Sequence, residues 1–89
     1  MEIREEHKVI LRRLYLDEII GEKHTSVTHL KKGLPPKYQK SIDKAIRDLY
    51  RYGYLVRKKT SYGEQVSLNT NMIPQIEGIL GVEPRPNPD

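Results

Sequence analysis

The middle of the chain carries a row of cations at the spacing of one helical face. Five of them lie three or four positions apart: Lys37, Lys40, Lys44, Arg47 and Arg51. Residues at these spacings are neighbours on a helix surface, where like charges destabilise the helix by about 0.2–0.5 kcal/mol per pair. We expect no acidic side chain to interrupt the row, so that an anion must relieve its repulsion. The residue types and their spacing therefore predict a polyanion-binding surface.

The same segment contains an apolar stripe that fixes which side of the helix the cations occupy. Its members repeat at spacings of four, three, one and three: Tyr38, Ile42, Ala45, Ile46 and Leu49. This periodicity predicts a helix over residues 36–52 that ends at Gly53. A shorter helix over residues 27–32, capped by Thr25 or Ser26, is expected just before it.

Four further elements are expected around these two helices. They are a first helix over residues 3–20, two strands over residues 54–59 and 64–68 joined as a hairpin, and a last helix over residues 72–80. In the second strand, Val66 and Leu68 fall on one face and should pack on the helices. Asn71 is the expected cap of the last helix. Residues 1–82 are thus predicted to form one domain and residues 83–89 a disordered tail.

The order helix, short helix, turn, longer helix, hairpin and helix is that of the winged helix-turn-helix. Residues 40–55 closely resemble the recognition-helix-to-wing passage of prokaryotic and archaeal winged-helix regulators. Ser41 is the small polar residue that precedes an aliphatic one, Ala45 follows three positions after that, and Leu49 packs before the Gly-Tyr-Leu of residues 53–55. The resemblance covers residues 25–68.

This resemblance implies an α+β, mainly helical fold. A three-helix core with a helix-turn-helix would be followed by a two-stranded hairpin wing and a short C-terminal helix. The second helix of the pair would enter the major groove. The implied function is double-stranded DNA binding by a small transcriptional regulator.

The candidate contact residues differ in how deeply they would reach into a duplex. Residues near the N-terminus of a recognition helix are the candidates for base edges: Tyr38, Gln39, Lys40, Ser41 and Lys44. Backbone phosphates would be held by Lys31, Lys32, Lys37, Arg47 and Arg51, and by the wing residues Arg57, Lys58 and Lys59. Gln39 can pair with adenine, and lysines can donate to guanine acceptors. Tyr38 could equally belong to the core.

The first helix has a second apolar set, which points away from the stripe that a monomer core would use. The set consists of Val9, Leu16, Ile19 and Ile20. One small core cannot bury both faces of a helix, so the set should pack against the last helix or a second copy of the chain. We expect a two-fold homodimer, which would place two recognition helices about one DNA turn apart.

The distribution of charge agrees with a polyanion partner. Residues 22–69 hold eleven Lys/Arg and four Asp/Glu, a net +7, whereas residues 1–21 and 70–89 have net charges of −1 and −2. A basic centre within a neutral-to-acidic frame is typical of a nucleic-acid-binding surface.

The composition argues against several other classes of protein. The chain has no cysteine, which excludes disulfides and thiolate metal sites, and His7, His24 and His29 do not form a close pair. We therefore expect no metal and no cofactor. The sequence contains no nucleophile motif, phosphate loop or paired carboxylates in an apolar setting, so no enzymatic activity and no small-molecule effector are expected. Without a long apolar run or a secretory signal, the expected location is the cytosol.

Two other functional hypotheses are compatible with the sequence. The basic face could meet an acidic protein partner, as in a winged-helix interaction module, or bind nucleic acid without regard to sequence. RNA is less favoured, because no exposed aromatic cluster offers stacking platforms for unpaired bases.

Overall fold

The computed structural model describes residues 2–61 and 63–84, apart from the side chain of Lys59. These residues form nine short elements. The described residues form an α+β fold with four α-helices and a three-stranded antiparallel sheet, which is compatible with the expected winged helix. In chain order, the elements are α1 (Glu5–Leu16), β1 (Thr25–Ser26), α2 (Val27–Lys32), a 3-10 turn (Pro36–Tyr38), α3 (Ile42–Arg51), β2 (Leu55–Thr60), β3 (Gly63–Leu68), a second 3-10 turn (Thr70–Met72) and α4 (Ile73–Leu80).

The core lies between the helices and one face of the sheet. The apolar stripe of α3 is buried as predicted at Ile42, Ala45, Ile46 and Leu49. It packs with α1 residues and with the hairpin residues Val66 and Leu68, whose inward orientation is confirmed. The buried side chains of α1 are Ile10, Leu11, Leu14 and Tyr15, together with His7. Because these apolar residues cover one side of α3, its charged residues must occupy the opposite side.

The first helix is shorter than predicted, because α1 ends at Leu16 and not at residue 20. Glu18 adopts a left-handed conformation with φ of 58°, and Ile19 N–H donates to the Leu14 carbonyl at 2.9 Å. This is the hydrogen bond of a Schellman motif, here formed without the glycine that normally marks it. The chain then runs beside β3, where Ile20 forms a bridge with Leu68.

This early end removes the predicted second apolar face of the first helix. Ile19 and Ile20 lie beyond α1, are half-buried and pack against the core, as does Val9. Leu16 is different, since it is 66% exposed. The four residues proposed as a dimer face therefore do not form one helical surface, and three of them already have partners within the chain.

The predicted helix over residues 36–52 is interrupted. A 3-10 turn, Pro36–Tyr38, is followed by a break, and α3 begins only at Ile42. Two side chains stabilise the break: the Ser41 hydroxyl donates to the Tyr38 carbonyl at 3.1 Å, and the Gln39 amide donates to the Lys31 carbonyl at 3.2 Å. The C-terminal end agrees with the prediction, because Gly53 has φ of 83° just after α3.

The predicted two-stranded hairpin is part of a three-stranded sheet with the order β1-β3-β2. The third strand arises because residues just before α2 are extended beside β3, with Thr25 opposite Val66. Ser26 also caps α2, accepting a hydrogen bond from the His29 N–H at 3.0 Å. The first hairpin strand begins and ends one residue later than predicted, the second begins one residue earlier and ends at Leu68 as predicted, and Gly63 has φ of 110° at the turn.

The last helix differs mainly at its start. Asn69, and not the predicted Asn71, provides the capping side chain, which accepts the Asn71 N–H at 3.0 Å in the 3-10 turn before α4. Pro74 lies in the first turn of α4 as expected. Of the predicted tail, residues 83–84 are exposed and without regular structure, and residues 85–89 lie outside the described residues.

Candidate nucleic-acid interface

Three cations occupy the outer face of α3. Lys44, Arg47 and Arg51 are exposed and lie within about 60° of arc on the side opposite the buried stripe. Arg47 and Arg51 form no ion pair with any described residue, and Lys44 is 76% exposed with its Nζ at 3.8 Å from the Asp48 carboxylate. The outer face of α3 therefore presents two unpaired guanidinium groups and a weakly paired ammonium group. We call these three residues the α3 ridge.

No acidic residue lies within the ridge, but acidic residues flank it on both sides, and Lys37 and Lys40 of the predicted row lie before α3 begins. On one side, Asp43 accepts a hydrogen bond from Lys31 Nζ at 2.8 Å. On the other side, Asp48 faces His7 and Lys44. Sequence spacing shows which residues share a face, but it does not show which carboxylate a flexible lysine will contact. Charge is thus concentrated along the ridge and balanced beside it.

His7 has a structural role that the sequence did not indicate. Its ring is buried at the start of α1, where Nδ1 accepts the Arg4 N–H at 2.9 Å. With Nδ1 as the acceptor, Nε2 carries the hydrogen and donates to Asp48 at 3.0 Å. This hydrogen bond, together with the positive charge of Lys44, lowers the pKa of Asp48 below its ordinary value, although partial burial opposes the shift. One imidazole thereby joins the start of α1 to α3.

The residues predicted to read bases are only partly free to do so. Lys40 is exposed and makes no ion pair with a described residue. The Gln39 amide and the Ser41 hydroxyl are already hydrogen-bonded to backbone carbonyls. Tyr38 is half-buried and packs against the core, with Lys37 above its ring at 5.1 Å. Within the 3-10 turn and the break that follows, Lys37 and Lys40 are therefore the groups available to a ligand.

The two cations of α2 also differ from each other. Lys31 is half-buried and paired with Asp43, whereas Lys32 is exposed and without an ion pair among the described residues. Both lie beside Gln39 at a shallow groove. Lys32 is thus the better phosphate candidate of the pair.

The three wing candidates differ in whether their side chains are available to a ligand. Lys58 is exposed and forms no ion pair within the described part of the chain, while the Lys59 side chain lies outside it. Arg57 is engaged: its guanidinium lies 4.6 Å from the centroid of the Tyr50 ring, and its Nε is 3.6 Å from Glu64 Oε2. The Tyr50 hydroxyl donates to the same Glu64 oxygen at 2.9 Å. Burial, together with this hydrogen bond to Glu64, raises the pKa of Tyr50 well above its ordinary value.

A groove separates α3 from the β2–β3 hairpin, and Tyr50, Arg57 and Glu64 lie along it. The charged residues at the groove are Asp43, Arg47, Arg57 and Glu64. Two arginines thus face two carboxylates, so the groove is close to neutral although both elements beside it carry exposed cations. The part of the chain most suited to phosphate is the α3 ridge.

Comparisons with known proteins give no identification, since no family model, curated protein or solved structure matches the chain. Among the described residues, no group of three or more His, Asp or Glu side chains is arranged to hold a metal ion. None of the described helices has the length and apolar character needed to cross a membrane.

Proposed function

We propose that this chain is a winged-helix protein that binds double-stranded DNA through the outer face of α3 and the β2–β3 hairpin. The observation that carries the proposal is the α3 ridge: Lys44, Arg47 and Arg51 line the face opposite the buried core, and neither arginine has an ion-pair partner within residues 2–61 and 63–84. A helix of this kind fits the major groove, and its guanidinium groups suit phosphate and guanine.

The roles within this surface follow from which cations are free. Lys40 lies just before α3 and Lys44 in its first turn, where base edges would be reached, and Arg51 lies at its end, where the DNA backbone would be reached. Lys32 on α2 and Lys58 on the hairpin extend the positive surface to either side. We propose transcriptional regulation as the role of the complex, on the strength of the resemblance of residues 25–68 to winged-helix regulators.

The test is a titration of the purified chain against a random duplex, the corresponding single strand and an RNA, at about 50 and 200 mM salt. The duplex should bind with micromolar or better affinity at the lower salt, and the affinity should fall steeply as salt displaces the protein from phosphate. Failure to bind any duplex at about 50 mM salt would refute the proposal.

A second candidate function is binding to an acidic protein, and the internal ion pairs favour it. Lys31, Lys44 and Arg57 each already face a carboxylate, which makes the basic surface weaker than the sequence suggests. Salt sensitivity does not separate the two functions. Competition does, because unrelated duplex DNA displaces a DNA ligand but leaves a specific protein complex intact.

A further inference from the structure

One carboxylate at the edge of the hairpin holds an arginine and a tyrosine at the same time. Glu64 Oε2 accepts the Tyr50 hydroxyl at 2.9 Å and lies 3.6 Å from Arg57 Nε, while the Arg57 guanidinium is stacked on the Tyr50 ring. Tyr50 lies on α3, Arg57 on β2 and Glu64 on β3. Their contacts therefore fix where Arg57 stands relative to the α3 ridge.

The arrangement limits what Arg57 can offer to a polyanion. A phosphate that approaches its guanidinium must either displace Glu64 or lie next to a negative charge. Glu64 is held against displacement by the 2.9 Å hydrogen bond from the Tyr50 hydroxyl. Asp43 and Arg47 line the same groove, and the Asp43 carboxylate is paired with Lys31. Arg57 is thus an exposed cation whose charge is largely neutralised within the protein.

We propose that Glu64 withholds Arg57 from DNA phosphate, so that the hairpin makes one phosphate contact fewer than its sequence suggests. The inference rests on the proposed DNA binding and deepens it. Removing one hairpin contact lowers affinity for any duplex, regardless of its sequence, because phosphate contacts carry no sequence information. The complex then depends more on the contacts made by the α3 ridge.

The first experiment compares Glu64→Gln with Glu83→Gln in binding to a random duplex. Both substitutions remove one negative charge. Glutamine at position 64 keeps an acceptor for the Tyr50 hydroxyl, while Glu83 lies exposed beyond α4 and lines no groove with Arg57. One added phosphate contact steepens the slope of log affinity against log salt by about 0.9. Extrapolated from about 1 M to 50 mM salt, this corresponds to roughly tenfold tighter binding. The Glu83 variant should change affinity by less than about twofold, because distant exposed charges are screened.

The second experiment removes Arg57 in both backgrounds. Arg57→Gln should leave the wild-type salt slope unchanged, and it should lower the slope of Glu64→Gln by about one. Glu64→Thr, a residue that favours strands, provides a second variant should the glutamine variant unfold. The salt slope is the decisive readout, since a purely structural role of Glu64 would alter stability without adding a phosphate contact.

The outcomes separate this inference from the proposed function. If the wild type binds duplex DNA and the position-64 variants behave like Glu83→Gln, the role of Glu64 is overturned while DNA binding stands. A loss of about one unit of salt slope on Arg57→Gln in the wild type would also overturn it, because Arg57 would then already contact phosphate. If the wild type binds no duplex, both proposals are wrong.

Discussion

Replacing both arginines of the α3 ridge tests whether this face contacts phosphate. Arg47→Ala/Arg51→Ala removes two guanidinium groups that have no ion-pair partner among the described residues. Alanine is the best helix former and both positions are exposed, so α3 should remain folded. Any loss of binding then reports the missing contacts.

The size of the effect follows from the number of contacts removed. Each phosphate contact contributes about 0.9 to the slope of log affinity against log salt, so the double variant should lose about 1.8. Extrapolated from about 1 M to 0.1 M salt, this corresponds to roughly 60-fold weaker binding. The measurement is fluorescence anisotropy on a random duplex across a salt series, which yields the slope and the affinity together.

A matched control is available on α1. Lys8 and Arg12 are one helical turn apart, on the same side as the exposed Leu16, and neither lies at a groove with the α3 ridge. Lys8→Ala/Arg12→Ala changes the net charge by the same amount and should keep the wild-type slope. Equal losses in the two double variants would show that net charge governs binding, and the assignment of the α3 ridge would be wrong.

Three further predictions concern stability and assembly. Tyr15→Phe removes the 2.7 Å hydrogen bond from its hydroxyl to the buried Glu77 carboxylate, and should lower the free energy of unfolding by about 1–3 kcal/mol in urea titrations. The pKa of Asp48 is lowered, so its hydrogen bond to His7 stabilises the fold above the ordinary pKa of 3.8, and this stability is lost as pH falls through and below that value. Asp48→Asn should therefore flatten the decline of the free energy of unfolding below about pH 5. An unchanged decline would contradict this. A homodimer stays a prediction. Because Leu16 is an exposed apolar side chain, Leu16→Glu should convert the dimer to a folded monomer in sedimentation experiments. A wild-type chain that sediments as a monomer would contradict the prediction.

The sequence predicted the features that depend on local periodicity. The spacing of Ile42, Ala45, Ile46 and Leu49 identified the buried side of α3, because burial on a helix follows its 3.6-residue repeat. The alternation in the second hairpin strand and the glycine after α3 are equally local signals. These features place the ridge on the outside of the helix.

What could not be predicted depends on contacts between distant residues. The end of α1 depends on a left-handed Glu18 and on the pairing of Ile19 with β3, neither of which is encoded in a sequence window. The break before α3 depends on Gln39 reaching the Lys31 carbonyl. The pairing of Arg57 with Glu64 across the hairpin likewise follows from strand register, which places Arg57 opposite Val66 and thus makes Glu64 its diagonal neighbour on the same face of the sheet.

The internal carboxylates change what kind of surface this chain presents. Asp43 pairs with Lys31 and Glu64 with Arg57, both beside α3, and Asp48 faces Lys44 on the ridge itself, whereas Arg47 and Arg51 have no ion pair among the described residues. The two arginines thus lie on a ridge about as wide as one helix, beside the near-neutral groove that Asp43, Arg57 and Glu64 line, while the exposed Lys32 and Lys58 lie further out on α2 and the hairpin. A broad basic patch would attract phosphate in many orientations, but a narrow ridge attracts it best when the helix lies along a groove between two phosphate backbones. In the proposed complex, the acidic residues that weaken total attraction would thus favour the orientation in which α3 lies along a groove.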